Sequence, residues 1–148
     1  MKAKTRQDSY TEQVHIINQA NLNGSGRLFG GQLMSWIDVT AAVVARRHSG
    51  RNVTTASVSE LNFIAPAHPN DTIVLCGYIV RAGRTSMDIC VKTYVEQLDG
   101  TRLEINTAYV VMVALDENEK PAAVPKLLYS TPEEKLEAEA AEARRKKA

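Results

Sequence analysis

Asn23, Gly30, Gly31 and Asp38 fall within one stretch, NGSGRLFGGQLMSWID at positions 23–38, and together they supply the groups that a polar reaction needs. Asp38 is set in a run that reads as a helix over residues 30–47, through Leu33, Met34, Trp36, Ile37, Val39, Ala41 and Val44. A helix apolar nearly all the way round is one enclosed by other structure. The residues three and four positions from Asp38 are Ser35, Met34, Ala41 and Ala42, none of them a cation. A carboxylate buried without a partner is costly, so this one has either a chemical task or a partner distant in sequence. The alternative is an Asp at the helix edge, turned to solvent.

Gly30 and Gly31 stand where a polar loop becomes that helix. Free backbone N–H groups and the positive end of the helix dipole converge there, and can hold an anion or a developing oxyanion. With no side chain in the way, a substrate can lie against the backbone. Asp38 follows Gly30 by two turns, roughly 12 Å along the axis. One carboxylate and one pair of N–H groups can therefore flank an extended substrate, the carboxylate coming from this chain or from a symmetry mate. Alone, Gly-Gly is a tight turn; with Asp38 and Asn23 it becomes a constellation.

A second candidate is the GRTS run at residues 83–86. Arg84 offers a bidentate fork for phosphate, and the hydroxyls of Thr85 and Ser86 add donors. Read by itself the run is first an ordinary hairpin turn with a solvated Arg; the phosphate contact becomes the preferred reading only through the resemblance given below. No G-x-S-x-G is present, and none of His15, His48 and His68 is tied to a candidate serine, so a base here is a carboxylate rather than a histidine. His48 lies at a helix C-terminus, where the dipole accounts for a basic residue. Metal-ligand spacing is lacking, as are Walker and GxGxxG patterns, so neither a metal nor a free nucleotide is expected.

The elements that position these groups follow from periodicity. Residues 10–17 read as a strand, and a break at 49–52 separates the helix from four β-rich segments at 53–63, 72–82, 86–97 and 102–115. Pro66 and Pro69, Gly83, and the Asp99-Gly100 pair mark the turns between them. The expected class is α+β, an antiparallel sheet of about five strands around one central helix, in one domain over residues 1–130. Residues 131–148 are a charged tail in which 133–148 (EEKLEAEAAEARRKKA) is a strong helix former with acids early and bases late, but Leu136 is its only large apolar residue. A solvated, helical or frayed tail is expected.

With 148 residues, 44% hydrophobic, and a net charge of +1, the composition suits one cored domain and gives no reason to expect nucleic acid or a membrane as partner. Residues 1–7 lack an export signal, and Cys76 and Cys90 lie in strands without metal spacing, so a reduced, cytoplasmic protein is expected.

The ordered set comprising residues 21–24, 29–31, Met34, Asp38, 55–58, Asn62, Phe63, Pro66, the GRTS run, Val113, Ala114 and Pro125 resembles the hotdog-fold acyl-CoA thioesterases, specifically the branch of YciA-type enzymes and cytosolic long-chain acyl-CoA hydrolases. The resemblance covers residues 10–126. It implies a hotdog fold and hydrolysis of acyl-CoA to fatty acid and CoA, without a metal or cofactor, coenzyme A being part of the substrate. Asp38 would be base or nucleophile, Gly30 or Gly31 the oxyanion site, and Asn23 the residue orienting water or carboxylate; Arg84, Thr85 and Ser86 would meet the CoA phosphates. Phe29 departs from relatives that carry His at this point, which leaves Asp38 with more of the burden. The resemblance further implies a homodimer with sheets joined edge to edge, each site built from both chains, assembling to a homohexamer as a trimer of dimers. Rival readings are a hotdog hydratase or dehydratase, which needs an Asp-His pair on the helix, and a non-enzymatic acyl-CoA sensor.

Overall fold

Chain punctuation and element boundaries coincide closely. The computed structural model describes residues 1–147 as β1 (Lys4–Thr5), α1 (Arg6–Ser9), β2 (Thr11–Ile16), a 3-10 turn (Gln19–Asn21), α2 (Gly30–Ser49), β3 (Asn52–Phe63), β4 (Thr72–Ala82), β5 (Ser86–Glu96), β6 (Arg102–Leu115), β7 (Leu127–Leu128) and α3 (Pro132–Lys147). The expected strands and central helix are present within a residue or two at each end. α2 stops where Gly50 adopts φ 69°, a left-handed conformation that costs glycine nothing, and the Gly50 N–H donates to the Arg46 carbonyl.

Five strands form one antiparallel sheet in the order β2-β4-β5-β6-β3. Its inner face presents Ile73, Leu75, Ile79, Ile89, Val110 and Met112 to Leu33, Ile37, Ala41 and Val44 of α2, all buried. The close approach of helix to sheet depends on Gly77. A Cβ there would lie 2.7 Å from Thr40 Cγ2 and 3.0 Å from Val44 Cγ2. The sheet ends at β2 on one side and β3 on the other. A long edge such as β3, exposed at most of its positions, is a template for another strand. Among the described residues, no helix is long and apolar enough to cross a membrane.

The outer face corrects the expectation of a solvated tail. α3 lies on the sheet: Ala141 is fully buried with Tyr78, Val80, Cys90 and Tyr109, and Ala138 is buried too. Small residues let the helix come close, and its arginines anchor it. Arg144 stacks over the Tyr109 ring at 3.6 Å, and Arg145 pairs with the buried Asp88 at 2.7 Å. Arg6 of α1 reaches Glu137 with two contacts, at 3.2 and 3.3 Å. Leu136, the one large apolar residue, is left exposed.

His48 is also corrected. It is fully buried, and its Nε2–H donates to the Pro125 carbonyl at 2.8 Å. Burial pushes its pKa down, so the ring is a neutral packing group rather than a cation answering the dipole. Cys76 and Cys90 are buried free thiols.

Candidate active site

Asn23 builds the loop before α2. Its Oδ1 accepts from the N–H groups of Ser25 at 2.8 Å and Arg27 at 3.2 Å, while its own N–H donates to the Arg27 carbonyl at 2.7 Å. The loop is tied down by Phe29 N–H to the Asn21 carbonyl at 2.7 Å and Leu28 N–H to the Ala67 carbonyl at 2.9 Å. These bonds deliver the chain into α2 with Phe29 at the cap position, and among the described residues no side chain caps the helix start. The helical ladder starts at Leu33, whose N–H donates to Phe29. Among the described residues, the Gly30 and Gly31 N–H groups have no hydrogen-bond partner.

The two glycines lie against aromatic rings. A Cβ on Gly31 would come within 2.6 Å of the Phe29 ring, and one on Gly30 within 3.5 Å of the Phe63 ring. Beside them opens a cleft of about 280 Å³ walled by Leu28, Leu33, Phe63 and Ile105, with Asn23 and Arg27 as its charged or amide members. An uncharged chain fits the walls, and an oxyanion fits the glycine N–H groups.

Asp38 occupies the side of α2 that faces away from the sheet's middle, in an exposed stripe with Met34, Ser35 and Val39. Enclosure of α2 therefore holds only for its sheet-facing side in the single chain. The carboxylate nevertheless has a partner: Thr55 of β3 donates from Oγ1 to Asp38 Oδ1 at 2.6 Å. Thr55 belonged to the resembling set without a role. Its partnership with Asp38 crosses from strand to helix, where no local spacing announces it.

Within one chain the two halves stay apart. Asp38 and Thr55 lie beside the early part of β3, opposite Met112, whereas Gly30 touches Phe63 at the far end of β3, opposite Asn106. The GRTS turn belongs to the Asp38 end, since Met87 and Thr55 both pair with Met112 on β6. Arg84 is exposed and lines a separate cleft of about 550 Å³ with Val124, Pro125 and Lys126. The carbonyls of Arg84 and Thr85 accept from Val124 N–H at 2.9 Å and Ala114 N–H at 3.0 Å. Ser86 turns its hydroxyl to the outer face, where Arg145 donates to it at 2.8 Å.

An antiparallel five-stranded sheet packed against one long helix is the hotdog arrangement. Residues 25–102 match the family described as Thioesterase superfamily. An uncharacterized acyl-CoA thioester hydrolase of Bacillus subtilis, YkhA, is 40% identical over 113 residues, a stretch amounting to 76% of this chain and 66% of that protein's own length. The crystal structure of an apo-hexameric acyl-CoA thioesterase is similar at a TM-score of 0.93 with 33% identity, over 99% of this chain and 95% of that one. The acyl-CoA hydrolase of Staphylococcus aureus, solved with butyryl coenzyme A, coenzyme A and coenzyme A disulfide, has a TM-score of 0.92 and 27% identity over 98% of this chain and 89% of its own. The chain belongs to the thioesterase superfamily, in the branch of acyl-CoA thioester hydrolases that includes YciA.

Proposed function

We propose that this protein hydrolyses acyl-CoA to a carboxylic acid and CoA at a site shared by two copies of the chain. The observation that carries the reading is the anchored carboxylate: Thr55 holds Oδ1 of Asp38 at 2.6 Å, and among the described residues Oδ2 has no partner. Asp38 takes a proton from water, and the water oxygen attacks the thioester carbonyl carbon. The oxyanion forms on the N–H groups of Gly30 and Gly31, a contribution of ~3–4 kcal/mol in well-formed acyl-transfer sites. The C–S bond breaks, and the proton held by Asp38 passes to the departing thiolate of CoA. Asn23, already tied into the loop, orients the attacking water through its side-chain amide. The reaction as proposed uses no metal or cofactor.

The two halves meet when β3 pairs with β3 of a second copy. A two-fold axis crossing β3 near its middle sets Asp38 and Thr55 of one protomer opposite Phe63 and Gly30 of its partner, and it also covers the open edge. The apo-hexameric relative supports a further association of three such dimers. Buried free thiols agree with a reducing compartment, and we place the protein in the cytoplasm. A hydratase would need a histidine beside Asp38; His48 is buried against Pro125 and His15 is stacked on Trp36 at 4.0 Å.

The direct test is release of free CoA thiol from a panel of acyl-CoAs, with and without a chelator. Release that requires added metal, or no release from any chain length, would sink the proposal. Arg84 sits away from the carbonyl, so its phosphate contact is uniform binding. Arg84→Ala should raise KM for acyl-CoA about tenfold or more with kcat within about twofold, the loss expected of one hydrogen bond to a charged group. A truncated thioester without the nucleotide should not sense the change. Equal losses on both substrates would make Arg84 a structural residue.

A further inference from the structure

The C-terminal helix makes its two shortest polar contacts through Arg145, one to β5 and one to the turn that carries Arg84. Arg145 Nη2 donates both to Ser86 Oγ at 2.8 Å and to Asp88 Oδ1 at 2.7 Å. Asp88 is a buried carboxylate on the outer face of β5, and its other cation, Arg81, is more distant at 3.7 Å. Ser86 is the closing residue of the turn, since Gly83 N–H donates to its carbonyl at 2.8 Å. Its hydroxyl also fits closely under Gly83, where a Cβ would lie 3.1 Å from Ser86 Oγ. The turn is thus gripped from two sides. Backbone N–H groups of Ala114 and Val124 hold the Thr85 and Arg84 carbonyls, and a side chain of α3 holds Ser86.

Between these grips, the Arg84 side chain is free to face the cleft that it shares with Lys126. Arg145 itself is differently placed. It reaches the turn from the outer face, and among the described residues its buried Nε has no hydrogen-bond partner. Its Nη2 is committed to Ser86 and to the buried Asp88, and withdrawing it would leave that carboxylate with only a distant cation, which is costly.

We infer that Arg145 is a positioning residue for substrate binding: through Ser86 it fixes the 83–86 turn, so that α3 sets the affinity for the phosphate-bearing end of acyl-CoA. This rests on the reading of Arg84 as the phosphate contact. It gives the C-terminal helix a part in recognition that neither its composition nor its distance from Asp38 suggests. A loosened turn lets Arg84 sample orientations away from the ligand, and the affinity falls by the fraction of time it is misplaced.

The experiment measures KM and kcat for acyl-CoA and for a truncated thioester in the Arg145→Gln, Arg84→Ala and double variants of the full chain, with circular dichroism confirming that each is folded. Arg145→Gln should raise KM for acyl-CoA about three- to tenfold, leave kcat within about twofold and leave the truncated thioester untouched, as expected for lost positioning of one charged contact. In the Arg84→Ala background the same change should add little, because both act through one contact. A lowered melting temperature with unchanged KM would make Arg145 a staple of the fold and overturn the inference while leaving the Arg84 reading intact. Fully additive effects would overturn it as well, because they would mean that Arg145 binds substrate independently of Arg84. If Arg84→Ala itself has no effect on KM, both readings fall together. Should Arg145→Gln melt below the assay temperature, Arg145→Lys keeps a cation for Asp88 while giving up the fork that also reaches Ser86, and the same split between KM and kcat is required of it.

Discussion

Asp38→Asn is expected to lower kcat on the order of 10²–10⁴-fold, the range for removal of a positioned general base. The fold should be at least as stable as before. An Asn amide oxygen can still accept the hydrogen bond from Thr55, and the residue is exposed on the single chain, so no cavity and no stranded charge result. Were Asp38 instead the partner of a buried cation, the change would destabilise by about 3–5 kcal/mol. Its partner is a neutral hydroxyl, which is why the two effects separate cleanly here. Thermal melts and thiol-release kinetics on this variant are the check. A fall in melting temperature with normal turnover per folded molecule would take Asp38 out of the site. Attack by Asp38 itself, to give a mixed anhydride, is detected by single turnover in ¹⁸O-water: label in the Asp38 side chain after the first cycle, which direct attack of water on the thioester cannot give, identifies the nucleophile.

The second large effect is a rescue. Asn23→Ala and Asp38→Asn should each leave little activity as pure proteins. Mixed in equal amounts and allowed to exchange subunits, they should recover about a quarter of the wild-type rate, because half of the dimers are mixed and each of those holds one intact site of two. The expectation follows from the placement of Asp38 near Thr55 and of Gly30 near Phe63, at opposite stretches of β3. If Asn23 and Asp38 of the same chain worked together, every mixed dimer would carry one lesion in each site, and mixing would restore nothing. Mass spectrometry of the mixture establishes that exchange has occurred, so a failure to recover can be read without ambiguity.

Most of the sheet was legible because strands with one buried face alternate, and because Gly, Pro and Asp-Gly interrupt them where the chain turns. β1 and β7 escaped notice for a physical reason. Two-residue strands have no period, and the parallel pairing of Lys4 with Leu127 joins segments far apart in sequence. The glycine start and Asp38 were legible as local chemistry. Thr55 was not legible as a partner, because a hydroxyl in a strand of many hydroxyls has no feature to mark the one that meets a helix. The enclosure expected for α2 fails on one stripe for a related reason: Met34 and Val39 are apolar yet open to solvent in the single chain, and composition alone does not separate an apolar exposed face from a buried one. His48 was read by its position on the helix, when burial beside Pro125 governs its state.

Divergence among sequences descended from a common ancestor should leave an unusual trace in α3. Leu136, which looks like the anchor, is 63% exposed and is free to drift, whereas Ala141 is 0% exposed between Tyr78, Val80, Cys90 and Tyr109. Any larger side chain at that position must push the helix off the sheet, and overpacking of this kind costs typically about 1–3 kcal/mol. Arg145 would be held with it, while the exposed Glu139 and Glu142 could exchange with Lys or Gln at little consequence. In so repetitive a segment, the residue that looks most interchangeable is the one that drift cannot replace.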